Sequence, residues 1–257
     1  VLVSCPWPLA NYSLLKTARQ DQNVQKMSLE TPPESPLIGT LNEGSLHAAL
    51  KNLYAEPKDE FEVPIQGYVV DILRNNQKTK KVIEIQTSSF GAMKRKLGAL
   101  LEEYKIKIVY PVATKTILIK PGLPKRKSPK KGSINQIFKE LVSITEFLNH
   151  RNLSFDVVLV TIKKNQEYDP KLRRNRGGYR TINTELDEVH KTYQFDEIQD
   201  FLHLLPNGLP PVFTTADIAQ SKKITRQEAQ QMAYCFRKTN LIKEVGITKK
   251  GKEYKFC

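Results

Sequence analysis

The chain has 257 residues, with 41 Lys and Arg against 27 Asp and Glu and a formal net charge of +14. That length suits a domain of average size followed by a small one, and the basic balance favours polyanionic partners such as nucleic acid. No run of about 18 apolar residues exists to span a bilayer, so no membrane partner is expected. Cys5, Cys235 and Cys257, at unrelated spacings, build neither a disulfide framework nor a CxxC zinc site, which points to a reducing, cytoplasmic setting.

Residues 1–40 are rich in Ser, Pro, Gln and Asn and read as a disordered tail. Met27 followed by SLETPPESPL resembles the polar start of a bacterial chain, which would make residues 1–26 an upstream extension or an alternative start. From Glu43 to Tyr54 the apolar residues Leu46, Ala49, Leu50 and Leu53 follow helical spacing, and Pro57 should end that helix. The β-branched and aromatic run Phe61–Leu73 predicts a strand, and Asn75–Lys78 a turn into an antiparallel strand over Lys81–Gln86. A helix over Phe90–Tyr104 and a strand over Ile106–Tyr110 complete a crossover, which requires the new strand to run parallel to the one before the helix.

A further strand is expected at Thr116–Ile119. KPGLPKRKSPKK (120–131) has six basic residues and three prolines and reads as a solvated loop. A helix over Ile134–Asn149 and a strand over Phe155–Ile162 follow, then a second basic loop, KLRRNRGGYR (171–180). Between Thr181 and Gln194 the pattern suggests a boundary, dividing the chain into domains 41–185 and 195–257. The fold class that results is α/β, a mixed sheet flanked by helices plus a small C-terminal domain.

Carboxylates inside apolar strands carry the chemistry. Asp71 interrupts Val69-Val70-Asp71-Ile72-Leu73, and Glu84 and Gln86 share a strand face that alternates with Ile83 and Ile85. A buried carboxylate is costly unless it is paired or metal-bound. Pairing across the Asn75–Lys78 turn can bring Asp71 to Glu84, and such a pair suits Mg²⁺ or Mn²⁺. Glu43, at the start of its helix and on the face of Leu46 and Leu50, is a third candidate carboxylate; His47 one turn later is expected on the helix surface.

Glu43 on a first helix, Asp71 on one strand and Glu84-Ile85-Gln86 on the next, followed by the helix carrying Lys94–Lys96, resembles the PD-(D/E)xK (restriction-endonuclease-like) nuclease superfamily over roughly Leu41–Ile119. The resemblance implies a metal-dependent DNA endonuclease, with Asp71 and Glu84 as metal ligands, Glu43 assisting and Gln86 positioning water or phosphate. The family usually has a lysine where this chain has Gln86, and Lys80 or Lys81 are candidates for the missing charge. The competing reading is a nuclease fold kept as a non-catalytic DNA-binding scaffold or transcriptional regulator.

Beyond Phe195 the pattern is two short helices, capped by Thr215 and Thr225, and a hairpin. This resembles a winged helix-turn-helix over Phe195–Phe256, of an uncharacterised prokaryotic group. From Thr215 onward there are ten Lys and Arg against four Asp and Glu. The resemblance implies DNA contacts from Arg226, Gln227, Gln230, Gln231 and Arg237 on the longer helix and from Lys249, Lys250 and Lys252 in the wing. A homodimer would suit a duplex cutter, although the sequence carries no interface signature.

Overall fold

The computed structural model describes residues 44–76, 79–172, 176–249 and 251–257. The expected tail and the candidate residues Glu43 and Lys250 lie outside the described residues. Helix α1 (Ser45–Tyr54) buries Leu50 completely, with Leu46 and Leu53 beside it, the stripe that the three-and-four spacing dictates. Where a single strand was expected over Phe61–Leu73 there are two, β1 (Glu60–Ile65) and β2 (Tyr68–Asn76). They are joined through Gln66 and Gly67, whose φ angles are +48° and +81°. Two successive left-handed residues match the twist of paired strands, which is why such pairs make tight hairpins.

Strand β3 (Thr79–Ile85) is antiparallel to β2, and after a 3-10 turn capped by Ser89 and helix α2 (Lys94–Leu100), β4 (Lys105–Ile119) runs parallel to β3. The crossover expected from sequence is therefore present. β4 also absorbs the strand expected at Thr116–Ile119, because a bulge between Ala113 and Lys115 carries the ladder past Pro111. The first basic loop is less free than expected. Its β5 (Arg126–Lys127) pairs with β4 and Ser128 N donates to Thr116 O at 2.8 Å, while the basic side chains from Lys125 to Lys131 stay exposed.

The helix expected over Ile134–Asn149 is a short α3 (Ile137–Leu141) between 3-10 turns, with a kink at Ile144. Then β6 (Leu153–Tyr168) lies parallel to β4, and β7 (Tyr179–Phe195) returns antiparallel to β6. The expected boundary at Thr181–Gln194 is thus the body of a strand. Three register shifts in the β6–β7 pairing break the strict two-residue alternation by which a strand is recognised.

Among the described residues the large mixed sheet has the order β1-β2-β3-β4-β6-β7, with β5 on β4. One face packs Ile72, Ile83, Ile85, Val109 and Val158 under α1, and the other carries α2 and α3.

After a 3-10 helix (Ile198–Leu204) come β8 (Phe213–Thr214), α4 (Thr215–Lys222), α5 (Arg226–Lys238), β9 (Ile242–Thr248) and β10 (Gly251–Phe256), with a small sheet in the order β8-β10-β9. The cap of α4 is Thr214, one residue before the expected Thr215, since its hydroxyl accepts from Ala216 N and Asp217 N. Thr225 caps α5 as expected, in a reciprocal box with Glu228. The segments on either side of Phe195 share one apolar core. Phe138 of α3 meets Phe201 at 5.8 Å and Phe236 of α5 at 5.3 Å, Phe155 of β6 meets Phe201 at 5.7 Å, and Phe195 stacks on Phe201 at 4.0 Å.

Candidate functional site

The β2–β3 ladder begins at Ile72 opposite Ile83. Immediately before it Asp71 uses its side chain instead, Oδ2 accepting the Ile85 N–H at 2.7 Å. Beyond Ile85, Gln86 N donates to Val109 O at 2.9 Å, so the pairing of β3 with β4 continues past the end of the β2–β3 ladder. Glu84 lies on this stretch of β3. Its neighbours Ile83 and Ile85 join the core beneath α1, so alternation sends Glu84 to the opposite side of the sheet, where Lys96 of α2 meets it with Nζ 2.7 Å from Oε2. Only 6 % of Glu84 is exposed. Its other oxygen, Oε1, is buried with no hydrogen-bond partner among the described residues.

The two carboxylates differ in their electrostatics. Burial pushes Glu84 up from 4.5 to about 7, the negative charge of Asp71 adds to the rise, and Lys96 only partly offsets it. Burial acts upward on Asp71 too, but hydrogen bonding and charge from His47, with the Ile85 N–H, outweigh it and hold Asp71 below the usual aspartate range. His47 Nε2 lies 3.2 Å from Asp71 Oδ2. Two like charges in one partly dry site push their pKa values apart, and the site as built is short of positive charge.

Asp71 and Glu84, expected to come together across the turn, lie near enough for the charge of one to act on the other. Gln86 is close by, but its amide Nε2 donates to Ser89 O at 2.7 Å and so ties down the turn into α2. Lys80 and Lys81 do not supply the missing charge: Lys80 sits over the Tyr104 ring at 5.7 Å, and Lys81 lines a pocket with Arg74, Lys107 and Ile83. The cation comes from Lys96. His47, expected on the helix surface, is half-buried against Asp71. Sequence spacing does not reveal either residue, because each reaches the site from a helix packed on the sheet. Among the described residues no three His, Cys, Asp or Glu side chains form a ready metal cage, and Asp71 and Glu84 make a two-carboxylate site.

Of the residues expected to contact nucleic acid, Gln230 and Lys249 are exposed. Arg226 is exposed but its Nε donates to Thr215 Oγ1 at 3.1 Å, and Arg237 is half-buried with its guanidinium 5.8 Å from the Tyr234 ring. Lys252 pairs with Glu244 at 2.9 Å. The two basic loops come together where Lys120 Nζ stands 3.6 Å over the ring of Tyr179. Tyr168 packs edge-on against the same ring at 5.7 Å, so Tyr179 is engaged locally.

A large mixed sheet flanked by helices, with a carboxylate pair and a lysine at the end of the β2–β3 ladder, defines an α/β protein with a buried polar centre. Residues 44–196, more than half of the chain, match the family model described as "Domain of unknown function (DUF8091)", and the chain belongs to that family. It is similar to an "Uncharacterized protein" of Treponema pallidum (strain Nichols), 30% identical over 189 residues that cover 72% of this chain and 74% of that protein. No solved structure matches. Among the described residues no helix is long and apolar enough to cross a membrane.

Proposed function

We propose that the chain is a metal-dependent DNA nuclease of the PD-(D/E)xK type, with its C-terminal segment acting as a winged-helix DNA-binding module. The observation that carries this reading is the buried Glu84 carboxylate, bonded by Lys96 through Oε2, within reach of the charge of Asp71, and with no hydrogen-bond partner for Oε1 among the described residues. A helix, three antiparallel strands, a crossover helix and a parallel strand, in that order, support it. So does the order of the last six elements, a helical turn, strand, two helices and a hairpin, which is that of a winged helix.

The donor set fits Mg²⁺ or Mn²⁺: these ions are commonly bound through one or two carboxylates, with water and substrate oxygens completing the shell. Asp71 and Glu84 would hold the ion. When bound, it supplies Lewis acidity toward a phosphate and its attacking water. Lys96, on the helix rather than at the position of Gln86, keeps Glu84 in place and brings a positive charge toward a phosphodiester. His47 fixes the carboxylate of Asp71, and Gln86 holds the turn that presents Lys96. β4 continues ten residues past Val109, from Tyr110 to Ile119, roughly 33 Å of strand at about 3.3 Å per residue, and ends where the basic loops meet. This basic arm suits backbone contacts that add affinity without sequence choice.

Cleavage of plasmid, duplex and single-stranded DNA with Mg²⁺, Mn²⁺ or EDTA tests the proposal. Metal-dependent cutting that is lost in Asp71→Ala, Glu84→Ala and Lys96→Met is the expected result. Tight, metal-independent DNA binding without cutting would favour the non-catalytic scaffold, a reading that draws on Gln86 being bonded to Ser89 O rather than open to the site.

A further inference from the structure

On the α1 side of the sheet, around Ile83, lies a cavity of about 290 Å³. Two ion-pair networks form its walls. In one, Arg74 grips Asp59 with Nε and Nη2 at 2.9 and 2.8 Å, donates to Tyr54 O at 2.8 Å and reaches Glu56 at 2.5 Å. In the other, Lys107 Nζ bonds Asp156 Oδ1 at 2.6 Å and the Tyr54 hydroxyl donates to Asp156 Oδ2 at 3.0 Å. Between them stands Lys81, the cross-strand partner of Arg74.

Lys81 differs from its neighbours. It is half-buried, and its ammonium makes no hydrogen bond or ion pair with the described residues. Burial lowers its pKa, the charges of Lys107 and Arg74 lower it further, and Asp156 and Glu56 do not restore it. A cation placed in a concave site beside two others, without a partner of its own, lacks an anion. Gln194 on β7 also lines the cavity, and its side-chain amide is likewise without a partner among the described residues.

The pocket offers a second charge on demand. The side chain of Asp59 is 1% exposed, whereas that of Glu56 is 61% exposed, so the Arg74–Glu56 contact is the exchangeable one. If Glu56 swings out, Arg74 Nη1 joins Lys81, two positive charges for a dianion. Leu53, Ala55 and Ile83 line the rest of the cavity and leave room for a small uncharged body.

We propose that this pocket binds a small phosphate monoester, its phosphate held by Lys81, the freed arm of Arg74 and the amide of Gln194. The site is separate from the carboxylate pair: Asp71, Glu84 and Lys96 are not among the residues that line it, and Ile83, which is, points away from the side on which Glu84 meets Lys96. The inference therefore does not depend on the nuclease reading, and its test needs no DNA.

Thermal unfolding of the full chain is followed with ribose 5-phosphate, with inorganic phosphate, or with sodium chloride at equal ionic strength. Ligand near 100 times its Kd should raise Tm by about 5 °C or more over the chloride control, more with the monoester than with inorganic phosphate. Lys81→Met should abolish that rise while melting in chloride at or above the native protein, since it removes an uncompensated cation. Lys81→Gln should behave in the same way and serves if the methionine variant does not fold. No rise over chloride in the native protein, an equal rise in the Lys81 variants, or a response only to a phosphodiester oligonucleotide would overturn the proposal.

Discussion

Replacing Glu84 by glutamine should make the metal-free protein more stable in alkaline solution and leave it unchanged in acid. Glu84 is almost wholly buried, its proton is held to about 7 instead of 4.5, and Oε1 has no partner among the described residues. Between those two values the folded chain keeps a proton that the unfolded chain has released, so stability falls as pH rises through the window. Carried to pH 8, the loss is up to about 3 kcal/mol, at about 1.4 kcal/mol per tenfold change in proton affinity. Glu84→Gln removes that loss. The contact with Lys96 is already contained in the value of about 7, so the neutral amide forfeits nothing more at pH 8. The expected gain is up to about 3 kcal/mol at pH 8, or a Tm higher by about 6–12 °C for a chain of this size, and about 1 kcal/mol or less at pH 5. Calorimetric scans of both proteins with EDTA at the two pH values measure it. A variant less stable than the native protein at pH 8, or a difference independent of pH, would refute the reasoning.

If Asp71 and Glu84 hold a metal as proposed, Mg²⁺ should raise the Tm of the native protein more at pH 8 than at pH 5 and leave Glu84→Gln almost unmoved; differential scanning fluorimetry reads both. Lys107→Met strands the buried Asp156 carboxylate and should cost about 3–5 kcal/mol, measured as a shift in urea midpoint. Phe236→Ala, which opens a cavity against Phe138, should cost about 3–5 kcal/mol and still unfold in one transition by both fluorescence and circular dichroism. Two separated transitions would contradict the shared core. If the proposed DNA binding holds, removing the charges of Arg237 and Lys249 together should flatten its salt dependence by about two counterions, as seen in the slope of log K against log salt.

How far the sequence reveals the molecule depends on how local each signal is. Asp71 and Glu84 stand out because each interrupts an apolar strand, and the short turn between the strands limits how far apart they can be. Lys96 and His47 carry no such mark. One comes twelve residues after Glu84 and the other lies on the helix before β1, and only tertiary packing shows which basic side chain each carboxylate meets. The same division runs through the fold. The parallel β3–β4 crossover is dictated by a strand, a helix and a strand in succession, whereas the hairpin at Gln66–Gly67 rests on two backbone angles that a lone glycine signals weakly. β7 is hidden because its bulges shift the alternation, which makes a 17-residue strand look like a polar connection.

The packing of Phe236 on Phe138 also separates two kinds of boundary. The segment shared across the family closes at residue 196, yet the apolar face around Phe138 and Phe155 is covered by side chains that come after it in the chain, Phe201 and Phe236 among them. Inheritance and folding thus divide this molecule at different places. A homologue that kept the shared segment and exchanged the chain beyond residue 196 would have to bring its own cover for that face.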